Sequence, residues 1–480
     1  MKGPFLIMTL ITCCYFGFAQ PGKKKIDPLK TAIIQSVERQ QPELIRLSNE
    51  IWAYAETALR ENKSSKALAD YAEAQGFSVK RGVSNMPSAF IAEYGSGKPI
   101  IGILGEYDAL PGISQKASPV KEPLEPGAAG HGCGHNLFGV GSMGAAVAIK
   151  ELIQQGKLKG TIRFYGTPAE ESVGGKIYMA RDGVFNDLDV CLDWHPDDEI
   201  EASTQSSQAM VDFIVEFKGK AAHAAADPWN GRSAVDGLEL FTHGVNMLRE
   251  HVKPSVRMHY AIKSGGDVPN VVPEYAKVWM WVRDSKRTGV EEVFARVKDI
   301  AKGAGLMAGV EVTVTVQTGD YELLVNKTGA EAMQKNLELI GPIIYTEEEI
   351  SFAKKIQEVS GVAQTGLDGA IHPVKATKED AEGGSTDVGD VSWLVPEITL
   401  LVTTAPVKAP WHSWAVVACG GMSIGHKGLV FASRGLAMTM ADLFQNETLR
   451  KQVRDEFEKG KGNTVYKTYI PDGPPPVPAK

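Results

Sequence analysis

Gly130-His131-Gly132-Cys133-Gly134-His135-Asn136 places a thiol and an imidazole two residues apart among glycines, just ahead of an apolar, small-residue segment that reads as a helix from about Leu137 to Gln155. Glycine removes the side-chain bulk that would hold a backbone away from a ligand, while cysteine and histidine supply a soft thiolate and an imidazole donor. The stretch reads as half of a metal site. Alone, Cys-x-His is weak evidence, because such pairs arise by chance and a buried cysteine is usually a small core residue. The other half must come from elsewhere in the chain.

Four near-continuous apolar runs supply it: Ile100 to Leu104, Thr161 to Tyr165, Val190 to Leu192 and Ile398 to Val402. Runs of this kind are strands buried on both faces by helices. Helical spacing from about Pro28 to Gln75, and again from about His426 to Phe444, provides such helices. The fold class is therefore α/β, a mostly parallel central sheet flanked by helices. Each run leads into polar, metal-competent residues: Gly105-Glu106-Tyr107-Asp108-Ala109-Leu110-Pro111, Thr167-Pro168-Ala169-Glu170-Glu171, Asp193-Trp194-His195-Pro196, and Thr403 to Pro410 followed by Trp411-His412. In open α/β sheets ligands bind beyond the carboxyl ends of the strands, so one rim collects these donors.

Between about Ser203 and Tyr321 the pattern changes. Met210 to Phe217, Val256 to Ile262, Tyr275 to Arg283 and Val310 to Val316 read as strands, with helices at Arg232 to His251 and Val290 to Ala304. The order β-α-β-β-α-β is the ferredoxin-like split βαβ sandwich, inserted as a second domain into the first. The expected division is 28–203 and 322–458 for the first domain, 204–321 for the insertion, and a proline-rich, extended tail over 459–480.

The 480 residues are 43% hydrophobic and 23% charged, with a formal net charge of -7. That is ordinary globular usage, and it lacks the concentrated basic face that a nucleic-acid partner would require. Lys2, the apolar run from Phe5 to Phe18, and Gly17 and Ala19 ahead of Gln20-Pro21 read as an export signal over residues 1–19, hence a periplasmic or secreted protein. The run is too short for a membrane span, and no other stretch reaches about 18 consecutive apolar residues. Cys13 and Cys14 lie inside it, where lipoprotein processing would leave a very short apolar core. Cys133, Cys191 and Cys419 remain, an odd set that is no disulfide framework, although a Cys191–Cys419 bridge stays open.

Cys133, His135, Glu171, His195 and His412 are the candidate ligands, with Glu170 and Asp108 beside them. Five donors of mixed nitrogen, oxygen and sulfur type exceed the three or four usual for one catalytic zinc, and suggest two divalent ions, zinc or manganese, sharing a bridging ligand. Adjacent carboxylates repel, and one tends to hold its proton unless a cation is near. With ions bound, Glu171 can ligate while Glu170 serves as general base. Each residue also has a plain structural reading. The Glu pair could be a solvated loop, His195 a core histidine, His412 a residue held by Trp411 and Trp414, and Asp108 a cap. All of them fall where strands are expected to end, and that shared placement favours the site.

With these residues assembled, the chain resembles the M20 metallopeptidase family, and within it the amidohydrolase branch that includes N-acyl amino acid and aminobenzoyl-glutamate hydrolases. The resemblance covers roughly Ile33 to Asn446. Besides the stretches quoted, it rests on Gly219-Lys220-Ala221-Ala222-His223-Ala224, Val268-Pro269-Asn270-Val271-Val272-Pro273 and Ser385-Thr386-Asp387-Val388-Gly389-Asp390. Much of the branch has Asp where this chain has Asn136. The resemblance implies a two-metal amidohydrolase of zinc-peptidase-like fold whose ligands are the five named above, with Glu170 as base and Asp108 at the catalytic centre. It implies that the insertion is a lid and dimerisation module. From there His223 reaches the active site of the partner subunit to hold the oxyanion, and Asn270 lies near the substrate carboxylate. It also implies a homodimer, with a related A subunit as a further partner, acting on a small amide or dipeptide. The competing readings are an exported protein that binds peptides on the same fold without cutting them, and a cysteine hydrolase using Cys133 and His135, which leaves Glu170, Glu171, His195 and His412 unexplained.

Overall fold

The structure, a computed structural model, describes residues 27–381 and 383–478. The expected export signal, with Cys13 and Cys14, lies outside the described residues. In chain order the elements are α1 (Pro28–Tyr54), α2 (Asn62–Ala74), β1 (Ser78–Arg81), β2 (Phe90–Ser96), β3 (Ile100–Gly105), α3 (His135–Gln154), β4 (Gly160–Gly166), α4 (Gly175–Arg181), β5 (Val190–Asp197), β6 (Glu201–Ala202), β7 (Ala209–Lys218), α5 (Ala234–Leu248), β8 (Arg257–Ser264), β9 (Tyr275–Asp284), α6 (Arg287–Ala308), β10 (Glu311–Thr318), α7 (Lys327–Ile340), α8 (Glu347–Ser360), α9 (Val388–Ser392), β11 (Glu397–Thr403), α10 (Trp414–Gly420), α11 (Ser423–Gln445) and α12 (Glu447–Lys461).

Seven strands form one sheet in the order β1-β2-β4-β3-β5-β11-β6. Its centre is β4, β3, β5 and β11, the four apolar runs, lying side by side and parallel. β1, β2 and β6 join antiparallel at the edges. The central strands are apolar throughout because both faces are covered. Ile103, Phe164 and Leu192 point into the layer formed with α1, α3 and α11. Leu104, Tyr165 and Cys191 point the other way, toward α4 and α9. By length and hydropathy α3 could cross a membrane, but 89% of its apolar window is buried inside the fold.

The sheet β10-β7-β9-β8 is antiparallel throughout. Side chains alternate faces along a strand. On β9, Ala276, Val278, Met280 and Val282 pack against α5 and α6. Lys277, Trp279, Trp281 and Arg283 therefore occupy the opposite face, and the last two of these line the central cavity of the first domain.

The structure departs from the sequence reading in several places. His195 does not follow β5 but sits within it, because pairing with β11 continues to Thr403↔Asp197. Cys133, Cys191 and Cys419 are all free, buried thiols; Cys191 and Cys419 belong to different clusters and form no bridge. α12 follows α11 almost directly. Its buried residues are only Val453 and Phe457, too few to show as a stripe.

Beyond α12, which runs on to Lys461, the described part of the proline-rich end is docked against the fold. Tyr466 Oη donates to Asp390 Oδ1 at 2.6 Å, Ile470 is buried with Leu323 and Val391, and the Tyr469 ring lies 3.0 Å from the Arg287 guanidinium of α6. Burial pushes the Asp390 carboxyl up to about 7, and Tyr466 is its only side-chain hydrogen-bond partner among the described residues. Removing one partner of a buried hydrogen bond costs about 1–3 kcal/mol. Tyr466→Phe should lower the unfolding free energy by that amount in denaturant titration; an unchanged value would show that the tail anchors nothing.

Candidate metal centre

The donors arrive from four strand ends and one helix N-terminus. Gly134, at φ 80°, turns the chain into α3, and a Cβ there would sit 2.9 Å from Pro196. A Cβ on Gly132 would lie 2.3 Å from Ile113 and 3.3 Å from the His412 backbone. Only glycine lets this loop pass beneath β5 and the His412 loop. At the site itself two non-glycine residues adopt left-handed backbone, Ala169 (φ 64°) immediately before the Glu pair and His412 (φ 53°). Such strain persists only where its surroundings hold it. The Ala169 amide is held by Glu61 Oε1 at 2.9 Å and the His412 amide by the Gly132 carbonyl at 3.0 Å.

The five expected ligands come together. Cys133, His135 and His195 each offer a donor atom within 4.8 Å of the others, as do Cys133, Glu171 and His412. Cys133 Sγ is 3.3 Å from His195 Nε2, and His412 Nε2 is 3.6 Å from Glu171 Oε2. The Nδ1 of each inner imidazole is engaged elsewhere. His195 Nδ1 donates to the Pro196 carbonyl at 2.7 Å, and His135 Nδ1 to Asp108 Oδ1 at 2.9 Å, which leaves each Nε2 directed inward. Asp108 also accepts the Glu171 amide, at 2.9 Å on Oδ2, so one carboxylate orients two ligands. Glu170 lines the same cavity of about 890 Å³.

His223 and Asn270 lie elsewhere. Both are exposed on neighbouring loops of the second sheet, where the Ala224 amide donates to the Asn270 carbonyl at 3.0 Å, and neither lines the cavity of its own chain. Asn136 is buried and turned away from the donors. Its amide donates to Ser48 Oγ at 3.1 Å and the Gly420 carbonyl at 3.0 Å, bonds that a carboxylate could not make.

Three residues of the centre carry no signal in the sequence that would mark their roles. Glu61 is the buried clamp on Ala169. Lys176, fully buried, donates to Glu106 Oε1 at 2.5 Å and Asp387 Oδ1 at 2.6 Å. Arg283 reaches the cavity from β9, donating to Ser385 Oγ at 2.8 Å over the Trp281 ring; it makes no ion pair among the described residues. Glu106 stands out in the sequence only as part of a motif. Asp387, in the quoted Ser-Thr-Asp-Val-Gly-Asp, is explained by Lys176.

These residues fit a pair of divalent ions. Glu106 Oε2, His135 Nε2 and Glu171 Oε1 are buried without a hydrogen-bond partner. Burial pushes the Glu170 carboxyl well above the usual range, and Glu106 and Glu171 push it further. Glu171 is pushed up to about 7 by burial and by Asp108 and Glu106. Burial acts to lower the His135 pKa, but Glu106, Cys133 and Asp108 outweigh it and raise it well above the ordinary histidine value. The centre thus holds positive charge, and in a chain without metal a proton has to provide it.

Comparison with known proteins agrees with this geometry. Residues 102–382 match Peptidase family M20/M25/M40, and the chain belongs to that family. It is 38% identical over 475 residues to the B subunit of p-aminobenzoyl-glutamate hydrolase from Escherichia coli (strain K12), covering 93% of this chain and 98% of that protein. It is 28% identical over 464 residues to the Xaa-Arg dipeptidase of Homo sapiens, covering 92% and 95%. Among solved structures it matches a dinuclear metal-binding peptidase of the M20 family from Bacillus subtilis with a TM-score of 0.57 at 17% identity, covering 85% of this chain and 99% of that one. The last likeness concerns the fold.

The buried acids give the metal-free chain a pH dependence of definite sign. Glu61, pushed up to about 8 by burial and Asp108, keeps a proton that the unfolded chain would release, as do Glu170 and Glu171. Stability is therefore lost as pH rises toward those raised values. His195 and His131, both pushed down to about 4 by burial, act oppositely, but only below about pH 6.5, where an unfolded histidine titrates. The Tm of metal-free protein should fall between about pH 6.5 and 8, and fall less after reloading with zinc. Equal falls would mean that no cation neutralises the cluster.

Proposed function

We propose that this protein is a two-metal amidohydrolase, loaded with zinc or manganese, that hydrolyses the amide joining an acyl, aminobenzoyl or aminoacyl group to an amino acid. One observation carries the reading: a single cavity is lined by four of the five donors, with His135 buried behind it within 4.8 Å of Cys133 and His195, by the carboxyl of Glu170, and by the guanidinium of Arg283, which makes no ion pair among the described residues although Asp320 lies nearby. Cys133, His135 and His195 would hold one ion, and Cys133, Glu171 and His412 the other. Bound divalent ions supply Lewis acidity toward the amide carbonyl and toward water.

The protein's own groups do the rest. Asp108 fixes the His135 tautomer and the Glu171 backbone. Glu170 accepts a proton from the attacking water and returns it to the departing amine nitrogen; burial, by raising its pKa, makes it a better proton acceptor. Arg283 pairs with the carboxylate of the amino-acid half, while Trp281 and Trp411 offer apolar faces to the acyl half. His223 would act in trans across a homodimer. The Ala225 and Ala226 amides donate to its Nδ1 at 3.2 and 3.1 Å, which leaves Nε2–H free for an oxyanion in the partner subunit, with Asn270 beside it. The likeness to a B subunit suggests a related A subunit as a further partner. The export-signal reading of residues 1–19 places the enzyme in the periplasm or outside the cell, where dipeptides and acylated amino acids are the substrates at hand.

The test is turnover of metal-loaded protein on a panel of acyl-amino acids, dipeptides and aminobenzoyl-glutamate, with Glu170→Gln alongside. Wild type should cleave members of the panel, and the variant should keep its metal while losing about 10²- to 10⁴-fold in kcat. Normal turnover in the variant would remove Glu170 from its role. Binding without cleavage by metal-loaded wild type, with and without the A subunit, would favour the peptide-binding alternative.

A further inference from the structure

β9 and the linker that follows β10 set two opposite charges on one wall of the cavity without pairing them. Arg283 stands opposite Met210 in the register of β9 and β7, and the Met210 amide donates to the Asp320 carbonyl at 3.0 Å, so one strand separates Arg283 from Asp320. With about 4.8 Å between neighbouring strands, the two backbones lie roughly 10 Å apart. Arg283, Met210 and Asp320 all line the cavity. Asp320 is only 5% exposed, yet its carboxyl has no hydrogen-bond or ion-pair partner among the described residues. The cations that act on it are engaged elsewhere. Lys176 is held by Glu106 and Asp387, and Arg283 donates to Ser385 Oγ at 2.8 Å over the Trp281 ring. A buried carboxylate without a partner is strongly disfavoured. Burial, with Asp390 and Asp387 close by, accordingly pushes the Asp320 carboxyl well above the usual range. Its missing partner has to come from the cavity.

We propose that Asp320 is a specificity-determining residue, taking the side-chain cation of a basic amino acid whose carboxylate lies on Arg283. The two wall charges are beyond ion-pair distance of each other, and a ligand carrying a carboxylate at one end and a cation at the other fits between them, its methylene stem on Met210. Arg283 alone would accept the carboxylate of any amino acid. Asp320 discriminates among them, because an apolar side chain leaves its carboxyl unpaired in a buried site. A glutamate in the same pose would bring a further carboxylate toward Asp320, Asp387 and Asp390, where like charges already oppose ionisation. The amino-acid half of the substrate is therefore lysine-like rather than acidic or apolar.

This inference rests on the amidohydrolase reading above, and its readout is binding of the product amino acid rather than turnover. Zinc-loaded full-length protein is titrated calorimetrically with lysine, norleucine and glutamate, which share the α-amino and carboxylate groups and differ in the side chain. Wild type should bind lysine at least about tenfold more tightly than norleucine or glutamate. In Asp320→Asn the ratio of lysine to norleucine affinity should fall to about one. Should that variant fail to fold, Asp320→Ser removes the same charge, and the same loss of preference is expected. A wild type that binds lysine no better than norleucine, or binds no lysine, would overturn the assignment of Asp320, as would a folded variant that keeps the preference. Selective lysine binding by a protein that cleaves no member of the substrate panel would instead overturn the amidohydrolase reading and leave the role of Asp320 standing.

Discussion

Glu106, Asp108, Glu170 and Glu171 crowd four carboxyl groups around the His135 imidazole, Asp387 adds a fifth across Lys176, and among the described residues Lys176 is the cation buried between them. Burying carboxylates without compensation is strongly unfavourable, because desolvation and mutual repulsion both disfavour the charged form. The rest of the architecture follows from the need to bring positive charge to this point. The two divalent ions proposed above would meet that need, and the same ions would supply the electrophile for amide hydrolysis.

The sheet performs the assembly. β3, β4, β5 and β11 are parallel, so their carboxyl ends open on one rim and deliver Glu106 and Asp108, the Glu pair, His195 and, through its loop, His412. The glycine loop before α3 lies close beneath that rim and carries Cys133 and His135 into it. Positions are then held by groups that do not themselves ligate: Asp108 on His135 and Glu171, Glu61 on Ala169, Lys176 on Glu106. The antiparallel sheet closes the cavity from the other side with Trp281 and Arg283, because alternation along β9 sends these to the face that its own helices leave uncovered.

Much of this is legible in the sequence, for identifiable reasons. Apolar runs without alternation mark the four central strands, and glycine-flanked Cys-x-His marks the loop. Glu171, His195 and His412 are conspicuous because each stands at or near a strand end, where a chemically distinctive residue is easily noticed. The supporting residues are not conspicuous. Lys176 meets Glu106 and Asp387 across sequence separations of 70 and 211, and none of the three belongs to a pattern with a period. Arg283 is one charge on an alternating strand and looks like solvated surface until the second sheet is placed over the first. The docking of the tail is hidden for a similar reason. Tyr466 and Ile470 find Asp390 and Val391 only after the chain has returned to the first domain.

The central claim is that this acidic pocket is built around two divalent ions that share Cys133. X-ray data collected on crystals of the zinc-loaded protein above and below the zinc absorption edge test it most directly. Two anomalous peaks are expected, one bounded by Cys133, His135 and His195 and the other by Cys133, Glu171 and His412. A single peak, or peaks that do not touch Cys133, would contradict it.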